Sequence, residues 1–128
     1  MQNLRYVGKN LFIEKLSIKN ILKKNKTPFY IYSESQIAFN FLKFANTFKR
    51  TNPLICFAAK SNSNLNILKV LGKLGAGADV VSGGELLKAL KAGIRPNKIV
   101  FSGVGKTEEE LKIAINKKIL LINCESES

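Results

Sequence analysis

An apolar run followed by a helical pattern recurs along the chain at nearly even spacing, and this recurrence restricts the fold more than any other feature. The runs begin near residues 29, 54, 78, 99 and 119, so each interval of 20–25 residues holds one strand, one crossover helix and two short loops. Phe29-Tyr30-Ile31-Tyr32 reads as the first strand, and Ser33 with Gln36 forms a capping-box pattern opening a helix with Ile37, Phe41, Ala45 and Phe48 on one face. Leu54-Ile55-Cys56-Phe57-Ala58-Ala59 reads as the second strand, and a helix from Asn64 carries Leu65, Leu68, Leu71 and Leu74 before stopping at Gly75. Ala78-Asp79-Val80-Val81 is the third strand, with Ser82 and Glu85 as the next capping box and Gly93 as the helix stop. Ile99-Val100-Phe101, a helix capped by Thr107 and Glu110, and Ile119-Leu120-Leu121-Ile122 complete the series.

Such alternation requires a parallel sheet covered by helices, because each right-handed crossover must return the chain to the same edge. Two closures satisfy it. Five strands suffice for a self-contained, doubly wound α/β domain, whereas in the other closure they are the first part of a (β/α)8 barrel. A receiver-type sheet wants clustered acids after its first strand and a flavodoxin-type sheet wants a phosphate loop there. Ser33-Glu34-Ser35-Gln36 suits neither.

Before the first unit lie a short extended piece, Asn10-Leu11-Phe12-Ile13, and a helix from Ser17 through Leu22, with Thr27-Pro28 as the break. With 128 residues and 45% hydrophobic composition, the chain is of single-domain size and can bury a core. Its net charge of +12 is scattered, with runs such as Lys23-Lys24-Asn25-Lys26 at helix ends, where cations complement the helix dipole. No nucleic-acid motif accompanies that charge, so a solvated surface is expected rather than a nucleic-acid partner. Cys56 and Cys124 lie far apart in sequence and the chain has no histidine, so no metal site is expected and both cysteines read as small buried hydrophobes. Neither a signal-peptide pattern nor a membrane-spanning run is evident, which implies a cytoplasmic protein without a membrane partner.

The chemistry centres on Lys60. An unbroken apolar run that ends in Lys60-Ser61-Asn62 is how a strand buried on both faces reads where it meets a loop, so the lysine stands at a strand's carboxyl end. Held there and partly desolvated, its amine can attack a carbonyl to form a Schiff base. Asp79 with Ser82, Ser102 with Gly103, and Glu125 with Ser126 gather at the same rim, where either closure places its ligands. A carboxylate on the strand next to a lysine would orient that lysine or hold its protonated imine. Ser82 and Glu85 are also accounted for by the capping box alone, and Gly103 with Gly105 is too short a signal for a phosphate site.

Three motifs in order carry a family resemblance. Cys56-Phe57-Ala58-Ala59-Lys60-Ser61-Asn62-Ser63-Asn64-Leu65 resembles the cofactor-lysine motif of the diaminopimelate decarboxylases, Gly75-Ala76-Gly77-Ala78-Asp79-Val80-Val81-Ser82-Gly83-Gly84-Glu85-Leu86 their next signature, and Ile99-Val100-Phe101-Ser102-Gly103-Val104-Gly105-Lys106-Thr107 the one after. Ser61 and Ala59 replace residues of similar size and remove no reacting group.

The resemblance implies a partial (β/α)8 barrel of the alanine-racemase-like type, with pyridoxal 5'-phosphate bound covalently to Lys60. It implies an amino-acid substrate, meso-diaminopimelate, decarboxylated to lysine. Asp79 is implied as a cofactor-site acid, with Asn62, Ser82 and Glu85 as possible active-site support. Full-length members of the family form homodimers with shared active sites. Residues 1–26 are expected to form an extension that pairs with a separate β domain, and 27–128 the first half of the barrel. The family's cofactor-stacking histidine, phosphate loop and partner-donated cysteine segment come later, so the chain is expected to be an amino-terminal fragment inactive by itself. A non-catalytic cofactor-binding barrel, or an ornithine or arginine decarboxylase, is the alternative.

Overall fold

The computed structural model describes residues 3–127. At its centre is a four-stranded parallel sheet, β4 (Cys56–Ala58), β5 (Gly77–Val80), β6 (Ile99–Phe101) and β7 (Leu121–Ile122), in the spatial order β4-β5-β6-β7. The order follows the sequence without reversal. A doubly wound sheet reverses strand order at a switch point, so the sheet has the one-directional winding of a barrel segment. Its crossovers are α3 (Leu65–Lys73), α4 (Gly83–Lys91) and α5 (Glu108–Asn116), preceded by α2 (Glu34–Thr47), and each helix packs against the next.

Alternation along the strands divides the sheet into two faces. Ala78, Val80, Ile99 and Phe101 are fully buried and meet Leu68, Leu86, Ala89 and Ala114 from the helices. That is the core. Cys56, Ala58, Asp79, Val100 and Leu121 alternate with those residues and share the opposite face by register, Ala58 beside Asp79, Asp79 beside Val100, and Val100 beside Leu121. They are half-buried or, like Leu121, exposed.

Close approach fixes this register at Gly77. A Cβ built there would lie 2.3 Å from the Lys98 carbonyl oxygen and 2.7 Å from Cys56 Sγ, both far inside van der Waals contact. Only glycine lets β5 enter between its neighbours.

The residues before α2 depart from the sequence reading. The extended piece at 10–13 is the middle strand of an antiparallel sheet, β1 (Leu4–Val7), β2 (Asn10–Ile13) and β3 (Leu16–Ser17), which leads into α1 (Ile18–Leu22). Gly8, at φ 58, opens the two-residue turn between β1 and β2, as hairpin geometry requires. The expected first strand, 29–32, has no ladder partner among the described residues. Its composition suits a strand, but a strand exists only where a neighbour accepts its backbone hydrogen bonds. Strand β4 begins at Cys56, two residues later than the apolar run.

The Glu14 carboxylate joins the two parts. It accepts hydrogen bonds from the Ser33 hydroxyl, the Ser35 hydroxyl at 2.8 Å and the Ser35 backbone N–H at 3.1 Å, so the turn after β2 sits on the first turn of α2. These bonds hold the Glu14 carboxyl below the ordinary carboxylate range. Of the three expected capping boxes, that of Thr107 and Glu110 is reciprocal. Gln36 instead donates to Asn40, and Glu85 reaches one residue further back than Ser82, to the N–H of Val81.

Replacing Gly77 with alanine is expected to lower the urea midpoint by at least as much as truncating the buried Leu68 to alanine, which typically costs about 2–5 kcal/mol. A Gly77→Ala chain as stable as the parent would show that β5 is not seated this tightly.

Candidate functional site

Strand β4 delivers Lys60 to the carboxyl rim. The chain leaves Ala58 through a single 3-10 turn, Ala59–Ser61, anchored by the fully buried Ala59. Ser61 Oγ donates to the Ala58 carbonyl at 2.7 Å, and the Asn62 N–H donates to the Ala59 carbonyl at 3.1 Å. Asn62 Oδ1 in turn accepts from the Asn64 N–H at 3.1 Å, which shapes the approach to α3. Lys60 itself is exposed. The partial desolvation expected from its sequence context is therefore not supplied by the residues around it.

Asp79 stands on the next strand, in register with Ala58, and is half-buried. Its Oδ1 accepts the Ser102 hydroxyl at 2.6 Å, and Ser102 Oγ accepts Asn123 Nδ2 at 2.9 Å. Backbone bonds fix both partners, Ser102 N–H to the Val80 carbonyl at 2.8 Å and Asn123 N–H to the Phe101 carbonyl at 2.9 Å. The ends of β5, β6 and β7 are thus joined by side chains as well as by backbone. Cys56 lies deeper on the same face. Burial pushes its thiol up, the Asp79 charge adds to this, and Lys98 opposes it. Cys124, expected to be buried, is exposed beyond β7.

Ser82 and Glu85 are spent on the start of α4. Ser82 Oγ accepts the Glu85 N–H at 3.3 Å, and Glu85 Oε2 accepts the Val81 N–H at 2.9 Å. Both shape the turn after β5. Glu110 extends the same work, taking the Thr107 N–H at 3.0 Å and reaching across to the Gly83 N–H at 2.6 Å.

Two connections escaped the sequence reading. Asn123 is linked to Asp79 through Ser102 by strand register, which no local motif encodes. Lys106, with a side chain only 7% exposed, bonds the Gly103 carbonyl and both oxygens of Glu125 at 2.9 and 2.8 Å, tying the loop after β6 to the segment after β7. A lysine 19 residues before a glutamate carries no recognisable signal.

Residues 34–128 match the family described as pyridoxal-dependent decarboxylase, pyridoxal binding domain. The diaminopimelate decarboxylase of Aquifex aeolicus is 49% identical over 123 residues, 96% of this chain and 29% of that protein. A crystal structure of an Aquifex aeolicus protein superimposes with a TM-score of 0.91 at 48% identity, covering 97% of this chain and 31% of that one. A crystal structure of Helicobacter pylori diaminopimelate decarboxylase, an I148L mutant complexed with L-lysine, gives 0.82 at 49% identity, covering 85% and 28%. The chain belongs to the pyridoxal-dependent decarboxylases, and its sheet and helices are the opening part of their barrel domain. It spans less than a third of the length of these relatives.

Among the described residues no helix is long and apolar enough to cross a membrane, and no group of three or more His, Cys, Asp or Glu is placed to hold a metal ion.

The N–H groups of Thr107 and Gly83 hold the Glu110 carboxyl below its ordinary value of 4.5. A depressed carboxyl contributes stability that is full above the unfolded value and is lost as pH falls through the folded one. Glu110→Gln is therefore expected to destabilise the chain at neutral pH, with the difference from the parent shrinking to nothing on acidification. Urea midpoints of both chains at several pH values check this, and a pH-independent difference contradicts it.

Proposed function

We propose that this chain is the lysine-bearing amino-terminal portion of a diaminopimelate decarboxylase, which converts meso-2,6-diaminopimelate to L-lysine and carbon dioxide in lysine biosynthesis. The observation that carries the reading is Lys60 at the carboxyl end of β4, beside a neighbouring strand that bears Asp79 in register with Ala58. An exposed primary amine at the end of one strand and a carboxylate on the neighbouring strand are the donor set an aldehyde cofactor needs, the amine to condense and the acid to balance the cation that results. Pyridoxal 5'-phosphate fits that pair. When bound, it supplies an electron sink for the carbon that loses its carboxylate.

The roles of this chain's own residues follow. Lys60 holds the cofactor and keeps a proton at Nζ, which Asp79 stabilises. Asn62 sets the loop that carries Lys60 away from the buried Ala59. Ser82 and Glu85 support the site from behind, by fixing the turn that follows Asp79.

The curated relatives' shared name and the lysine bound in the Helicobacter pylori structure support diaminopimelate over ornithine or arginine as the substrate. A cytoplasmic homodimer with shared active sites is the working assembly we infer from the family resemblance, and residues 1–26 pair there with a β domain. Turnover belongs to that assembly rather than to the 128 residues alone.

Incubation with pyridoxal phosphate, borohydride reduction and peptide mapping should place the label on Lys60, and Lys60→Ala should abolish it. Label on another lysine, or on none even when the remaining portion of a relative is supplied in trans, would overturn the assignment. Carbon dioxide release from diaminopimelate by the isolated chain would contradict the claim that turnover needs the larger assembly.

A further inference from the structure

Ser102 and Asn123 are polar residues at the rim for which the established folding contacts give no need. Backbone bonds to Val80 and Phe101 already place them, and a serine and an asparagine add nothing to the ladder. Their side chains instead run in one direction. Asn123 Nδ2 donates to Ser102 Oγ at 2.9 Å, and Ser102 Oγ donates to Asp79 Oδ1 at 2.6 Å.

A hydroxyl has a single proton, and facing an ionised carboxylate, which can only accept, Ser102 commits that proton to Asp79. The Asn123 amide occupies one of the two lone pairs of Ser102 Oγ and so restrains the hydroxyl's orientation, and Ser102 holds one oxygen of Asp79. The half-buried carboxylate can no longer rotate without breaking a charge-assisted bond, so Oδ2 is the oxygen left for a cation. Asp79 is also the only aspartate in the sequence, and a short side chain fixed at one oxygen presents the other in a narrow range of directions.

We propose that Ser102 and Asn123 are positioning residues that act through Asp79, the chain Asn123 to Ser102 to Asp79 fixing the carboxylate oxygen that meets the Lys60 cation when an aldehyde is captured. The proposal rests on the reading of Lys60 and Asp79 given above. It extends the site across three strands, from the end of β5 to the segment after β7.

Capture of pyridoxal phosphate at Lys60, followed as the rate of borohydride-stable labelling of that peptide, tests it. Ser102→Ala should slow capture about tenfold, the usual worth of a hydrogen bond to a charged group. Ser102→Thr, which keeps the hydroxyl, should restore it, and Asn123→Ala should slow it by a smaller factor. Because the effect passes through the carboxylate, adding Ser102→Ala to Asp79→Asn should change nothing further. Urea midpoints for each variant show whether the fold is kept. Should Ser102→Ala fail to fold, the exposed Asn123 carries the same test. Capture by Ser102→Ala at the parental rate, or an equal loss in the Asp79→Asn background, would overturn the positioning role. Absence of label at Lys60 in the parent chain, even with the remaining portion of a relative supplied in trans, would instead overturn the underlying reading, and the proposal with it.

Discussion

Everything at the rim depends on how closely β5 is held between β4 and β6. Gly77 enters the sheet against the Lys98 carbonyl and the Cys56 thiol with no room for a side chain, and that contact sets which residues stand level on neighbouring strands. A slip of one residue would turn Asp79 into the helical core and Ala78 or Val80 toward the open face. Burying a carboxylate among Leu68, Leu86 and Phe101 would cost several kcal/mol, so hydrophobic burial and register enforce each other. The placement of Asp79 level with Ala58, two residues before Lys60, is a consequence of that geometry.

Five of the eight glutamates show how the other acids serve folding. Glu14 closes the amino-terminal sheet onto α2, Glu85 and Glu110 satisfy backbone N–H groups at the starts of α4 and α5, Glu108 pairs with Lys112, and Glu125 neutralises the buried Lys106. Apart from the exposed Glu108–Lys112 pair along α5, each of these carboxylates is engaged in shaping a turn or a loop. Asp79 differs because its bonded partner is the Ser102 side chain just after β6, itself held by Asn123 just after β7, and this holds one oxygen while leaving the second.

Periodicity made the parallel strands and their crossover helices legible, because buried strands must be apolar without interruption and the helices must repeat their apolar residues every three to four positions. Lys60 and Asp79 were legible for the same reason, since each terminates or interrupts such a run. What could not be read was set by partners distant in sequence. Residues 29–32 have strand composition but no ladder, and β1 with its turn at Gly8 was hidden by the alternating, exposed residues Leu4 to Val7. The link from Asn123 through Ser102 to Asp79 spans three strands, and the exposure of Lys60 depends on a turn anchored by Ala59. Cys124 looked like a core residue by type alone, yet it lies outside the sheet.

A crystal structure of the chain after exposure to pyridoxal phosphate would examine the central claim most directly. The account predicts continuous density from Lys60 Nζ to the cofactor at the carboxyl ends of β4 and β5, with the Asp79 carboxylate beside it and Ser102 still bonded to the other oxygen. Density joined to a different lysine, or a Lys60 turned away from the rim that bears Asp79, would contradict it.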